Sequence, residues 1–357
     1  MEGPKQARIG FVGAGSHATR MLYPSLVQAP SARLAAVCDL QADRAEQAAK
    51  RYGADRWYTD VETMLDQESL DGVCICGLPQ MHLEVGLQVL RRRLPIFVEK
   101  PSAMDARGAQ RLADAAHRAG VWGMVAFMKR HAPGYMLAKS LMEAPAFGGL
   151  QQLHLRFTQG EYPDIWGLDA PHAFLVGQVV HIFDLMRYLG GDVVQVHARL
   201  HAVTKHRFAY AISVELASGA IGTLDLNSLD HAEPWRDITE RVDASGLGES
   251  LSVENMLSVT HYAARDWRPG PQQAFGAAYR SWAPNFISAA SGKALCGYVG
   301  ELEHFAQCVL SGTPGTASLY DGVEALRVGE AVWRSAQRGR ALPLAAGPQV
   351  RPTRSRG

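Results

Sequence analysis

The chain has 357 residues, 47% hydrophobic and 20% charged, with a formal net charge of +1. That length suits two domains of ordinary size, and the balanced charge offers no footing for nucleic acid or an acidic surface. No apolar run approaches bilayer length, the first residues carry no apolar signal region, and five scattered cysteines are too few for a disulfide framework, so a cytoplasmic protein is expected.

The first element is a strand, Arg8 to Val12, that runs into Gly13-Ala14-Gly15-Ser16-His17-Ala18. Gly13 permits a sharp turn, Gly15 lets the backbone approach a diphosphate, and Ala18 is small enough for close helix–strand packing. The helix expected from Ser16 to Val27 would aim its free N–H groups at that anion. A second strand, Leu34 to Cys38, ends at Asp39, where a carboxylate can bind a ribose 2′-hydroxyl. This favours NAD, although Arg44 keeps NADP possible by its reach toward a 2′-phosphate. Asp39 equally suits the cap of a helix beginning near Ala42.

Strands and helices then alternate. Helices are expected at Ala42–Tyr52, closed by Gly53, at Val61–Gln67, capped by Asp60, at Leu83–Arg92 and at Ala106–Ala119; strands are expected at Gly72–Cys76, Pro95–Val98 and Val121–Ala126. Cys74 and Cys76 read as structural thiols on one strand face, and no spacing suggests a metal site. The pattern predicts a doubly wound parallel sheet over residues 1–128. After a helix from Pro133 to Met142, period-two segments at Gln151–Phe157, Val193–Val203, Ala209–Leu216 and Ala220–Asn227 predict a mostly antiparallel sheet, so residues 129–340 form an α+β domain. Two helices, Glu301–Leu310 and Asp321–Gln337, close the body. The aromatic-rich stretch Asp266–Gly292 reads as a packed loop, a lid or an oligomer contact, and residues 341–357 as a basic, flexible tail.

Two features carry chemistry. Lys100 follows a strand's carboxyl end, where open α/β sheets bind ligands, and a cation there can stabilise charge on a substrate oxygen. Val176 to Leu189 reads as one buried helix with a narrow polar stripe, Gln178, His181 and Asp184. Either substrate hydroxyls satisfy that stripe, or His181 is an internal histidine and Asp184 pairs with Arg187.

Together Gly13-Ala-Gly15 with Ala18, Val37-Cys-Asp39, Glu99-Lys100-Pro101, His181-x-x-Asp184 and the late segment Gly300–Asp321 resemble the Gfo/Idh/MocA family of nicotinamide-dependent sugar and cyclitol oxidoreductases. The resemblance implies an N-terminal Rossmann domain and a C-terminal α+β domain with a large open sheet. It implies hydride transfer between NAD(H) and a carbinol carbon, a sugar or cyclitol substrate, no membrane partner, and a homo-oligomer, dimer or tetramer. Lys100 would touch substrate and nicotinamide, His181 would act as acid/base, and Asp184 and Gln178 would bind substrate. Leu78, Pro79, His82 and Glu99 would line the cofactor. Trp166 and His172, in the loop before the helix, would form a substrate wall. One departure stands out: family members commonly carry Asp or Glu four residues before the histidine, where this chain has Gly177. His181 would then work with Lys100 alone, or borrow Asp164 or Asp169, or the usual reaction would be lost. Alternatives are thus an elimination that uses NAD only transiently and a non-catalytic sugar or dinucleotide sensor.

Overall fold

The computed structural model describes residues 5–230, 238–263, 279–285 and 289–345. The first sheet contains β1 (Ala7–Val12), β2 (Ala32–Cys38), β3 (Arg56–Tyr58), β4 (Gly72–Ile75), β5 (Ile96–Val98) and β6 (Gly123–Val125). Their order is β3-β2-β1-β4-β5-β6, every pairing parallel. β4, β5 and β6 are buried along their whole length, as strands covered on both faces must be. The order reverses between β1 and β4, which opens a crevice at their carboxyl ends.

The helices Ala42–Tyr52, Val61–Gln67 and Ala106–Ala119 begin and end where the sequence places them. Gly53 takes the left-handed conformation at a C-terminus, and the Asp60 side chain accepts from the Thr63 amide at an N-terminus. Two helices differ from expectation. The one after β4 starts at Pro79, not Leu83, because proline suits the first helical position, whose N–H has no intrahelical partner. The opening helix spans residues 16–26, but its Ala18–Leu22 portion is π-wound. Pro24, which has no N–H to give, lies just past that portion, and the Tyr23 amide reaches back five residues to Ala18.

The second sheet is built from β7 (Gln152–Thr158), β8 (Val193–Ala202), β9 (Phe208–Leu216), β10 (Ile221–Asn227), β11 (Thr239–Ser245), β12 (Ser250–Glu254), β13 (Ser258–Tyr262), β14 (Tyr279–Trp282) and β15 (Leu342–Pro343). The order is β14-β13-β12-β11-β7-β10-β9-β8-β15. All neighbours are antiparallel except β7 and β10. β11 escapes the hydrophobic pattern because Glu240 takes one of its buried positions. Tyr279 and Trp282 lie on the edge strand β14. Trp267, Phe286 and residues 346–357 are outside the described residues.

Packing does not follow chain order. The helix Tyr298–Ser311 comes late, yet it completes the core of the first sheet: Phe305 sits 5.7 Å from Phe97 and 5.6 Å from Trp122, ring to ring. Gly72 leaves it room, since a Cβ there would lie 3.1 Å from the Phe305 ring. Glu301 on this helix is 1% exposed, and among the described residues neither carboxylate oxygen has a hydrogen-bond partner. Burial, reinforced by Glu99, pushes its pKa well above the ordinary carboxylate range. The unfolded chain releases that proton in the ordinary range while the fold retains it, so stability falls as pH rises above that range. Glu301→Gln is expected to be more stable than the parent by at least about 1 kcal/mol near pH 8, converging with it near pH 4. Urea titrations at both pH values check this; a variant that loses stability at pH 8 contradicts it.

Candidate active site

The crevice is lined first by the glycine loop. Gly13 has φ +100°, and a Cβ there would lie 1.9 Å from the Cys76 carbonyl oxygen, so only glycine fits between the ends of β1 and β4. Its amide donates to Cys38 O at 2.7 Å. Around Gly15 a Cβ would meet nothing within 4 Å. The following helix opens at Ser16, and first-turn amides have no partner within the helix. A diphosphate fits this cradle.

Asp39 lies half-buried at the end of β2. One carboxylate oxygen accepts from the Ala14 amide at 2.7 Å and the other from Gln41 N at 2.9 Å. Asp39 therefore braces the loop; the helix Ala42–Tyr52 has Gln41 as its N-cap residue, with no side-chain cap. Arg44 is exposed on that helix. Leu78 is 61% exposed at the crevice edge, an apolar surface suited to a cofactor ring, while Pro79 is buried. His82 is buried and committed: Nδ1 donates to Pro101 O at 2.8 Å, and Nε2 accepts from Gly77 N at 2.9 Å. It is a clamp between the β4 and β5 loops and has no ring nitrogen left for a cofactor.

Glu99, Lys100 and Pro101 follow β5, with a cis Lys100–Pro101 peptide. Glu99 is buried, accepts from the Lys100 amide at 2.9 Å and meets His17 Nε2 at 3.0 Å. Burial alone would raise its pKa, but His17 and Lys100 hold it below the ordinary value. Lys100 Nζ donates to the Gly177 carbonyl at 3.0 Å. Desolvation, with Lys129 adding, lowers the amine's pKa below the usual lysine value although Glu99 opposes it.

The stretch read as one helix is two, Ala170–Gly177 and Val180–Gly190. Gln178 leaves the regular helix at φ −108°, and the Gln178 and Val179 amides both donate to Phe174 O. At this break the Gly177 carbonyl accepts from Lys100. Gln178 is at this break, not on a continuous stripe with His181 and Asp184. His181 is 8% exposed, and among the described residues its Nδ1 has no hydrogen-bond partner. Desolvation, with Lys100 and Lys129 adding, holds its pKa well below the ordinary value, so it is neutral at pH 7.

Asp184 is fully buried and spoken for. Arg130 Nε and Nη2 donate to its two oxygens at 2.8 and 2.6 Å. It is not free to bind a substrate hydroxyl, and its partner is Arg130 rather than Arg187, which pairs with Asp192 and Asp321. His172 stacks on Trp333 of the helix Leu319–Arg338, with centroids 4.6 Å apart, so its ring belongs to a helix contact and not to a substrate wall. Asp164 pairs with Lys205 and Asp169 caps the helix Ala170–Gly177 through the His172 amide; neither stands in for a carboxylate at position 177. Trp166 does reach the site: a Cβ at Gly177 would lie 2.9 Å from its indole.

Residues 7–127 match the profile of an oxidoreductase family with an NAD-binding Rossmann fold, and residues 135–246 match the GFO/IDH/MocA C-terminal domain. The chain belongs to the Gfo/Idh/MocA family. It is an NAD-dependent oxidoreductase acting on CH–OH groups, and the open space at Gly15 and the Asp39 carboxylate at the end of β2 fit that cofactor. Inositol 2-dehydrogenase 2 of Saccharopolyspora erythraea is 25% identical over 350 residues, 96% of each chain. A dehydrogenase from Chromobacterium violaceum has the same fold, with TM-score 0.85 at 23% identity over 94% of this chain and 97% of its own. So does levoglucosan dehydrogenase, solved with NADH and levoglucosan, with TM-score 0.81 at 18% identity over 95% and 99%.

This Gfo/Idh/MocA site also contains residues that sequence reasoning passed over. Arg130 was legible only as a cation just past a strand's end, and Tyr162, in the irregular loop before the paired helices, gave no periodic signal. Lys129 is buried against Glu240, which also accepts from Tyr135. Asp184→Asn removes one of the two carboxylates paired with buried Arg130, Asp321 remaining at 3.1 Å, and the expected cost is about 3 kcal/mol of folding stability. Chemical denaturation checks this; full stability with a selective rise in KM would instead restore Asp184 as a substrate ligand.

Proposed function

We propose that this enzyme moves a hydride between NAD(H) and the carbinol carbon of a cyclitol, sugar or related polyol, with Lys100 and His181 flanking the reacting oxygen. The observation that carries the reading is the Lys100 amine, tied to the Gly177 carbonyl at the break just before His181. Relatives named as inositol dehydrogenases favour net oxidation of a ring hydroxyl over a transient oxidation or a sensor.

Held against Gly13 to His17 and Leu78, NAD+ would supply the hydride acceptor for the carbinol carbon. The hydroxyl must shed its proton as the carbonyl forms, so a proton acceptor has to meet that oxygen. We assign this to Lys100. One of its donor positions is spent on Gly177, and desolvation makes the amine more ready to exist neutral than a surface lysine. His181, held neutral by burial and two nearby lysines, receives or gives a hydrogen bond and orients the hydroxyl without storing charge. In the reverse direction protonated Lys100 stabilises the developing alkoxide. Trp166 walls the substrate beside Gly177. Glu99 keeps Lys100 electrostatically supported from behind, and Gly13 to His17 and Leu78 line the cofactor.

The second sheet alternates buried and outward positions along β9 and β10, and that outward face supports a homo-oligomer. Free, mostly buried cysteines suit a reducing cytoplasm. No described helix is long and apolar enough to cross a membrane.

Lys100→Ala is expected to lower kcat by about 100-fold or more while NAD affinity stays within about threefold of the parent. In the parent, oxidation is expected to quicken with pH as the Lys100 amine loses its proton, at a pH below the ordinary lysine range; the variant lacks that limb. Initial rates against pH on inositol and sugar substrates, with NAD titrations by fluorescence, provide the check. Undiminished turnover in Lys100→Ala removes the assignment.

A further inference from the structure

The space beside Gly177 is filled from outside its own helix. A Cβ at Gly177 would lie 2.7 Å from the Tyr162 hydroxyl and 2.9 and 3.0 Å from two carbons of the Trp166 indole. Trp166 reaches this place from a left-handed backbone conformation, φ +57°. Tyr162 is fixed at both ends. Its ring stands edge to face on Phe174 at 5.3 Å, and its backbone exchanges hydrogen bonds with His206, amide to carbonyl at 3.2 Å and carbonyl to ring nitrogen at 3.1 Å. The residue is 7% exposed, yet among the described residues its hydroxyl bonds to nothing. It points at the same peptide that receives Lys100.

The nearby carboxylates are all committed. Glu99 is held by His17 and the Lys100 amide, Asp184 by Arg130, and Glu240 by Lys129 and Tyr135. Among the described residues, the groups beside Gly177 and His181 that keep hydrogen-bonding capacity are the Tyr162 hydroxyl, the remaining N–H groups of Lys100 and the His181 ring, and the first two can donate. A ligand that satisfies such a site presents acceptors there, because a buried donor left unpaired costs binding.

We propose that Tyr162 is a substrate-binding, specificity-determining residue: its neutral phenol occupies the place a side chain at position 177 would take, and it selects a polyol that carries a carboxylate on the ring carbon next to the carbinol carbon, a sugar acid in preference to the parent sugar. The inference rests on the assignment of Lys100 and His181 as the reacting pair. An anionic side chain at position 177 would repel such a substrate; a phenol donates to it.

The test compares glucuronate with glucose and myo-inositol on the NAD-loaded enzyme. The parent is expected to show a higher kcat/KM on glucuronate than on glucose. Tyr162→Phe keeps the ring packed against Phe174 and is expected to raise KM for the acid about tenfold, the loss of one hydrogen bond, with kcat and NAD affinity unchanged. The double change Tyr162→Ala with Gly177→Asp replaces the phenol by a carboxylate, with the end of the Trp166 indole shifting to admit it, and is expected to reverse the preference toward glucose or inositol. Equal KM for Tyr162→Phe and the parent, or a parent that prefers glucose to glucuronate, overturns the inference and leaves the oxidoreductase reading standing. A parent with no turnover on any of the three, while Lys100→Ala is equally inert, overturns both.

Discussion

One hydrogen bond joins the two halves of the active site. Lys100 comes from the end of β5 in the nucleotide-binding sheet, and Gly177 ends a helix that belongs with the second sheet. The bond lies where the helix stops: Val179 turns its amide back to Phe174, and the Gly177 carbonyl, one turn before His181, accepts from Lys100. In an unbroken helix that carbonyl would be spent on the backbone, and the lysine would have no fixed place beside the histidine. A glycine at this position admits Tyr162 and Trp166, so the site's wall is furnished by a loop from before the helix.

Around this bond the charges are sorted with little left over. The strongest pair, Arg130 with Asp184, is buried and extends to Asp321 and Arg187, tying the loop after β6 to the helix Val180–Gly190 and to the capped start of the helix Leu319–Arg338. Such networks hold elements in register because breaking one member strands another charge. They also withdraw carboxylates from the substrate. What remains near the reacting atoms is a desolvated amine, a neutral imidazole with one bare nitrogen and a phenol. On the mechanism proposed above, this differs from a histidine backed by a carboxylate and puts the weight of acid–base work on Lys100.

Local signals reported the first sheet well. Gly53 and Asp60 mark helix ends by backbone and capping rules that act within a few residues, and continuous apolar runs mark buried parallel strands. The second sheet was legible only where hydrophobic alternation survived. It vanished at β11, where buried Glu240 answers Lys129 and Tyr135 from elsewhere in the chain. His172 read as a site residue from its position before the helix, yet stacking on Trp333, more than a hundred residues away, took it elsewhere.

The sequence by itself determined the dinucleotide cradle, the order of its strands and helices, and the presence of Lys100 and His181, because glycine turns, strand-end carboxylates and apolar periodicity are encoded within short stretches. Only the tertiary structure decided which polar residues remain free. Asp184, His82 and Asp164 have the right chemistry, but each is consumed by a partner distant in the chain. Tyr162 became a candidate because no described residue bonds its hydroxyl. Availability depends on which groups meet after folding, and no local pattern records that.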